Sequence, residues 1–146
     1  MGTVNGILSQ KQPRQLLSTR PDETVLAATQ RMNEHGVGAL LVIEAGRMVG
    51  IFTERDVLRR VVAEERVPST ICVSEVMTSD VAFCTLNTSV DKVQDLMRQY
   101  RIRHLPVVDE QGTVLGILSI GDVNAYHASH QEVAIQYLHE YLYGRV

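Results

Sequence analysis

The sequence predicts a mixed α/β fold of two pseudo-symmetric βαββα halves packed sheet to sheet, with a C-terminal amphipathic helix. Three observations predict it. The chain repeats itself, each copy alternates between helical and strand periodicity, and neither copy alone is long enough to bury a comfortable core. Thr24–Ala45 align without a gap on Ser89–Glu110; Gln111 is then inserted, and Gly46–Val57 align on Gly112–Val123. The identical pairs are Val25/Val90, Met32/Met97, Leu40/Leu105, Val42/Val107, Gly46/Gly112, Gly50/Gly116, Ile51/Ile117, Asp56/Asp122 and Val57/Val123. Val37/Ile102 and Ile43/Val108 swap apolar residues, Thr53/Ser119 preserves a hydroxyl, and the lead-ins Val4–Ser9 and Val73–Thr78 also correspond. Self-similarity of this kind marks a duplicated unit. A single copy of about 60 residues buries little surface, so two copies share the burden and create a pair of equivalent clefts, where small ligands usually bind.

Within each copy the elements follow from local chemistry. Thr24 and Ser89 are N-caps, since a hydroxyl accepts a hydrogen bond from a first-turn amide. Val25, Ala28 and Met32, then Val90, Val93, Met97 and Tyr100, recur at helical spacing. Gly36 is placed to close the first helix in the left-handed conformation. Ala39–Ile43 and Leu105–Val108 are short, branched apolar runs that read as strands. Pro106 fits if it opens its strand, where no ladder bond is lost. Turns at Glu44–Gly46 and Asp109–Gly112 lead to second strands, Met48–Phe52 and Val114–Leu118, and a second helix starts at about Asp56 and about Asp122. The expected organisation is a first repeat with its lead-in over 1–66, a second over 67–128 and a terminal helix over 129–146. In that tail Val133, Ala134, Tyr137, Leu138, Tyr141 and Leu142 form an apolar stripe, suited to packing on its own module, to a dimer contact or to docking on another protein.

Composition narrows the function classes. With 146 residues, 45% hydrophobic and 21% charged, the chain reads as a soluble globular protein. No apolar run approaches the roughly 18 residues of a membrane span. Met1–Gln10 lacks the basic start and apolar core of a secretion signal, and Gly6 stands where a myristoylation motif wants Ser or Thr, so the cytoplasm is the expected location. A net charge of −3 gives no general attraction to nucleic acid, and 5% aromatics without Trp offer no base-stacking platform. Cys72 and Cys84 form no C-x-x-C pair and read as small apolar fillers rather than reactive thiols.

The most informative pattern is Gly50–Asp56 with its partner Gly116–Asp122. In each, a hydroxyl (Thr53 or Ser119) and a carboxylate (Asp56 or Asp122) lie three residues apart where a strand hands over to a helix. Free amides and the positive helix end there suit a phosphate, and a carboxylate can accept from the vicinal hydroxyls of a ribose. The plainer alternative makes the hydroxyls N-caps and the aspartates dipole partners; recurrence in both copies favours ligand binding. The copies differ just ahead of their strands, where Arg101–His104 in the second stand opposite Gly36–Ala39 in the first. Arg103 and His104 are good phosphate partners, because charge-assisted bonds to phosphate are short and strong. Arg55, Arg59 and Arg60 are a second basic group, on a helix where solvent exposure is the commoner fate.

The doubled Gly-Ile-x-Thr/Ser-x-x-Asp ending, with Gly38–Val42 and Arg103–Asp109 before it, resembles a tandem pair of cystathionine-β-synthase (CBS) domains, or Bateman module. The resemblance covers nearly the whole chain and extends to small bacterial proteins made of one such module. It implies βαββα repeats, frequent homodimers and clefts for AMP, ADP, ATP, NAD(H) or S-adenosylmethionine. It also implies ribose contacts at Asp56 and Asp122, phosphate or ribose contacts at Thr53 and Ser119, and nucleotide-site positions for Gly38, Ala39, Arg55, Arg103 and His104. Catalytic and metal motifs fail: Ile117 spoils a nucleophile elbow, Leu41 spoils a dinucleotide fingerprint, and His127 and His130 lack a third ligand. The expected function is therefore a non-enzymatic regulatory protein that senses adenine nucleotides and signals to an unidentified partner by a change of shape or dimer geometry. An empty-cleft scaffold is the alternative, and a nucleotide-processing enzyme ranks last.

Overall fold

The computed structural model describes residues 2–10 and 17–143, with 131–137, 140, 141 and 143 described by their backbone. In chain order the elements are α1 (Val4–Gln10), β1 (Ser18–Thr19), α2 (Val25–His35), β2 (Ala39–Glu44), β3 (Arg47–Thr53), α3 (Glu54–Asp56), α4 (Val90–Tyr100), β4 (His104–Val108), β5 (Val114–Ser119) and α5 (Ile120–Tyr143). Val57–Val62 prolong α3 as a π-helical stretch, closed by the bond from the Ala63 amide to the Leu58 carbonyl at 3.0 Å. The chain divides into two compact units, Arg14–Ala82 and Met1–Pro13 with Phe83–Val146.

In the first of these units β1 pairs parallel with β2, and β2 pairs antiparallel with β3. Thr24 caps α2 by accepting from the Ala27 amide, and Gly36 ends it at φ 61°. The two-residue turn between β2 and β3 puts Ala45 at φ 51° and Gly46 at φ 76°, the twist that a tight hairpin requires. Val25, Ala28 and Met32 of α2 meet Leu40, Val42 and Phe52 of the sheet, with Val61, Ile71, Val73 and Val76 completing the core. Burial of such side chains stabilises by about 1.5–3 kcal/mol each.

The other unit repeats this plan with local differences. Ser89 caps α4 through the Lys92 amide, but the left-handed position is filled by Arg101 at φ 54° rather than by glycine. Its β4–β5 hairpin has the longer turn, in which Asp109 Oδ1 accepts from the amides of Gln111 (2.9 Å) and Thr113 (2.8 Å). A single bridge from Cys84 to Val107 stands where the first unit has β1. Pro106 lies third in β4, not first as the sequence suggested. Its carbonyl accepts from the Cys84 amide at 2.9 Å, so the missing N–H falls on that edge and costs no β4–β5 bond. Cys84 is buried, which pushes its thiol up to about 11, whereas Cys72 is half-buried at the start of a 3₁₀ turn. The terminal helix expected over 129–146 continues α5 without a break, for no Gly or Pro interrupts Val123–Tyr143. Of its apolar stripe, Leu138 and Leu142 are exposed, while Val133, Ala134, Tyr137 and Tyr141 lie outside the described side chains.

The packing units cut across the repeat boundaries, because each repeat's lead-in packs with the other repeat. Ahead of the second repeat, the Ile71 carbonyl accepts from the Val25 amide at 3.0 Å, and Thr78 and Ile51 exchange both backbone hydrogen bonds at 2.9 Å. Ahead of the first, the Gly2 carbonyl accepts from the Val90 amide at 3.0 Å, and the Val4 amide donates to the Thr88 carbonyl at 2.9 Å. Strand glycines make room for both lead-ins. A Cβ on Gly50 would lie 2.8 Å from the Met77 sulfur and from the Thr78 carbonyl oxygen, and one on Gly116 would lie 3.2 Å from a Leu8 methyl.

Two carboxylates fasten the first unit's loops. Glu23 takes a two-pronged bond from Arg31, at 2.8 and 3.3 Å, and Arg31 also donates to the Ser18 carbonyl. The Arg31 hydrogen bond holds the Glu23 carboxyl below its usual 4.5. Glu75 is lowered likewise, first by the Cys72 amide at 2.7 Å and then by Arg66. Both folded values lie below the unfolded one, so their contribution is complete above 4.5 and is lost as pH falls through the folded values. Urea denaturation against pH is expected to show the parent more stable than Glu23→Gln near neutrality, with the two curves converging in acid. A difference that widens in acid contradicts this account.

Candidate functional site

The two hydroxyl–carboxylate pairs take the same form. At the end of β3, Asp56 Oδ2 accepts from the Thr53 amide at 3.0 Å, and Thr53 Oγ accepts from the Asp56 amide at 3.3 Å. At the end of β5, Asp122 Oδ2 accepts from the Ser119 amide at 2.8 Å, and Ser119 Oγ accepts from the Asp122 amide at 3.1 Å. Each pair is thus a capping box, in which two orphan amides of a helix start are satisfied reciprocally. The plainer role foreseen for these residues is therefore realised. It fixes a hydroxyl and a carboxylate side by side at each strand-to-helix junction.

What surrounds the boxes differs. Ala39 pairs with Thr53 in register, and the Gly38 carbonyl accepts from the Glu54 amide at 3.1 Å, so Gly38 and Ala39 flank the first box. At the second, His104 pairs with Ser119, and the Arg103 carbonyl accepts from the Ile120 amide at 2.8 Å. Arg103, His104, Ser119 and Asp122 are thereby gathered within one unit. Arg103 is exposed and its guanidinium makes no hydrogen bond or ion pair among the described residues; His104 is half-buried. A cation held beside a hydroxyl and a carboxylate suits a phosphorylated sugar, with the carboxylate accepting from hydroxyls and the guanidinium donating to phosphate.

The carboxylates differ as well. Asp56 is 6% exposed, whereas Asp122 is half-buried. Beyond its capping bonds, Asp56 Oδ2 receives the Thr53 hydroxyl at 3.2 Å, and Oδ1 receives the Thr78 hydroxyl at 3.2 Å with Arg60 Nε at 3.8 Å. Sequence reasoning missed Thr78; it read Arg60 as solvent-facing, and Arg60 is exposed, yet its guanidinium also turns back onto the chain. Arg60 donates to the carbonyls of Val76 at 3.1 Å and Met77 at 2.9 Å. Arg55 is half-buried and engaged, and Arg59 is exposed. His127 and His130 flank the Tyr126 ring, the first edge-on and the second stacked. Among the described residues, no group of three or more His, Cys, Asp or Glu could hold a metal ion.

The family pattern described as "CBS domain" matches twice, over residues 13–63 and 73–128. The chain belongs to the CBS-domain family. This CBS pair is 36% identical over 117 residues to the CBS domain-containing protein YhcV of Bacillus subtilis, covering 80% of this chain and 82% of YhcV. It is 38% identical over 129 residues to the mitochondrial CBS domain-containing protein CBSX3 of Arabidopsis thaliana, covering 84% of this chain but 62% of that protein's length. Among solved structures, a protein with CBS domains from Burkholderia ambifaria superposes with a TM-score of 0.84 at 38% identity, covering 89% of this chain and 96% of that one. The CBS-domain containing protein ATU1752 of Agrobacterium tumefaciens gives 0.80 at 34% identity, covering 86% and 99%. These matches bear out the mixed α/β fold and a regulatory-module family. Among the described residues, no helix is long and apolar enough to cross a membrane.

The two CBS capping boxes predict unequal responses to substitution. Asp56→Ala strips partners from Thr53, Thr78 and Arg60 in a buried setting and is expected to lower stability by about 2 kcal/mol or more, against about 1 kcal/mol for Asp122→Ala. Urea midpoints of the two variants measure this, and equal losses contradict it.

Proposed function

We propose that this CBS pair is a regulatory, non-enzymatic protein that binds adenine nucleotides (AMP, ADP, ATP or NAD(H)) at its strand-to-helix junctions and passes the bound state to a partner protein. The observation that carries this reading is the gathering of Arg103 and His104 beside the Ser119–Asp122 box. In it Asp122 accepts from the ribose hydroxyls, Ser119 borders the ribose and phosphate, and Arg103 with His104 neutralises the phosphate. Thr53 and Asp56, flanked by Gly38, Ala39 and Arg55, form the corresponding purely ribose-directed place in the first repeat. The ligand class has support from a structural neighbour, the CBS domain pair of MJ0100, solved in complex with 5′-methylthioadenosine and S-adenosyl-L-methionine; it shares the fold at a TM-score of 0.75 and 22% identity. S-adenosylmethionine, which carries no phosphate, is the lesser candidate here, because it leaves Arg103 without a role.

Calorimetry tests the reading. A hydrogen bond to a charged group is worth about 1.5–3 kcal/mol, so Arg103→Ala is expected to weaken AMP about tenfold or more while leaving adenosine nearly unchanged. An Arg103→Ala protein that binds AMP as tightly as the parent overturns the phosphate assignment. Turnover of a nucleotide by the pure protein, lost on Ser119 or Asp122 substitution, overturns the non-enzymatic part.

A homodimer is the assembly we assign, supported by Leu138 and Leu142, which lie one turn apart on α5 and are 57% and 59% exposed. A neighbour of 29% identity, a cyanobacterial CBS-CP12 protein, is hexameric. Light scattering is expected to give twice the monomer mass for the full chain and a weakened association when residues 130–146 are deleted. A monomer at high concentration rejects the dimer.

A further inference from the structure

The Asp56 carboxylate has room for one further hydrogen bond and no more. A carboxylate offers about four lone-pair positions; Asp56 fills three with the Thr53 amide, the Thr53 hydroxyl and the Thr78 hydroxyl, and the Arg60 guanidinium stands off as an ion pair at 3.8 Å. Two of those donors tie down a segment distant in sequence. Thr78 is in that segment, and Arg60 reaches it through the carbonyls of Val76 and Met77. Residues 76–78 lie against β3 at Gly50, where there is no room for a Cβ, and they run on into the chain that leads to the second repeat. At the matching position of the other lead-in, the Ser9 hydroxyl donates to the Gly6 carbonyl of its own helix at 3.1 Å.

We infer that Asp56 and the Thr78 hydroxyl form a latch that holds the inter-repeat segment on β3, and that a ribose diol releases it by taking the place of that hydroxyl. The reading rests on the nucleotide assignment above and adds how occupancy of the first repeat is transmitted. A vicinal diol donates two hydrogen bonds, and a carboxylate with one position open accepts both only by giving up an existing donor. The Thr53 amide is fixed by the backbone and belongs to the capping box. The Thr53 hydroxyl is also held by the Asp56 amide, which donates to it, whereas the Thr78 hydroxyl is turned toward Asp56 by that one bond, so it yields first. Its departure leaves the segment held by the Ile51–Thr78 backbone pair and by Arg60, whose own bond to Asp56 is the longest of the set at 3.8 Å. Ligand binding at Asp56 is then coupled to loosening of residues 76–78. Thr78 is a positioning residue in this device, and Asp56 is the group for which ligand and segment compete.

Amide hydrogen exchange of the full-length protein, read at Ile51 and Thr78, tests both halves. Without ligand, Thr78→Val is expected to speed exchange at the two amides about tenfold, and Thr78→Ser, which keeps the hydroxyl, to restore the parent rate. Parent-like exchange in Thr78→Val overturns the latch. With AMP at a concentration that calorimetry shows to be saturating, the parent is expected to reach the rate of Thr78→Val, while the variant changes no further. The 2′,3′-dideoxy analogue of AMP, which has no diol, is expected to leave the parent rate where it was. Saturation by AMP with unchanged exchange overturns the release step. If AMP gives no binding heat at all, the nucleotide assignment fails and the release step fails with it; the ligand-free latch then stands or falls on Thr78→Val alone.

Discussion

A carboxylate withdrawn from water costs several kcal/mol unless hydrogen bonds replace its hydration, and Asp56 is withdrawn almost completely. The end of β3, the start of α3 and the segment before Val81 are arranged around that need. Thr53 meets it from the helix start, Arg60 from one turn further along, and Thr78 from a remote stretch of chain. The same residue therefore caps a helix, closes a loop and joins the two repeat sequences. Asp122 holds the identical sequence position without that depth of burial. The duplicated motif keeps its hydroxyl and its carboxylate while their surroundings differ.

Pseudo-symmetry runs deeper than the paired motif, and its exceptions are informative. Thr24 and Ser89 cap equivalent helices, both hairpins carry an irregularity at the same place, and both strand glycines admit a lead-in side chain. The exceptions lie where one copy has acquired charge. Arg101 replaces Gly36 in a left-handed position that glycine fills without strain, and Arg103 replaces Gly38 beside the helix start. An arginine at φ 54° carries a backbone cost that Gly36 does not, and it stands where the basic group of the second copy begins.

Much of the fold was legible because local chemistry dictates it. Caps, helical periodicity and branched strand runs act over a few residues, and the boundaries near Val25, Ala39, Val90 and Val114 followed from them. Non-local choices were less legible. Nothing in the pattern of Val4–Ser9 says that it packs on the sheet of the other repeat, because an apolar lead-in satisfies either partner equally well. Pro106 was misplaced for a related reason, since its tolerance depends on which edge Cys84 pairs with. The site divides the same way. Thr53, Asp56, Ser119 and Asp122 stood out through repetition, and Arg103 and His104 through the lack of it. Thr78 did not: it is an ordinary hydroxyl far from Asp56 in sequence, and its partner Ser9 behaves differently. The correspondence of the two lead-ins was the one signal that could have raised it.

The N-terminal helix belongs to the unit completed by the C-terminal half, which gives synthesis on the ribosome a direction. Residues 17–82 have all the partners of their own unit as soon as they emerge, and that stretch can close as a nascent chain. Val4 and Ile7, buried in the finished protein, have to wait until β4, β5 and the start of α5 are made. At 5–20 residues per second that delay is on the order of ten seconds. For that interval Val4 and Ile7 are without their partners, and chaperones, or the same helix of a neighbouring nascent chain, can reach them first.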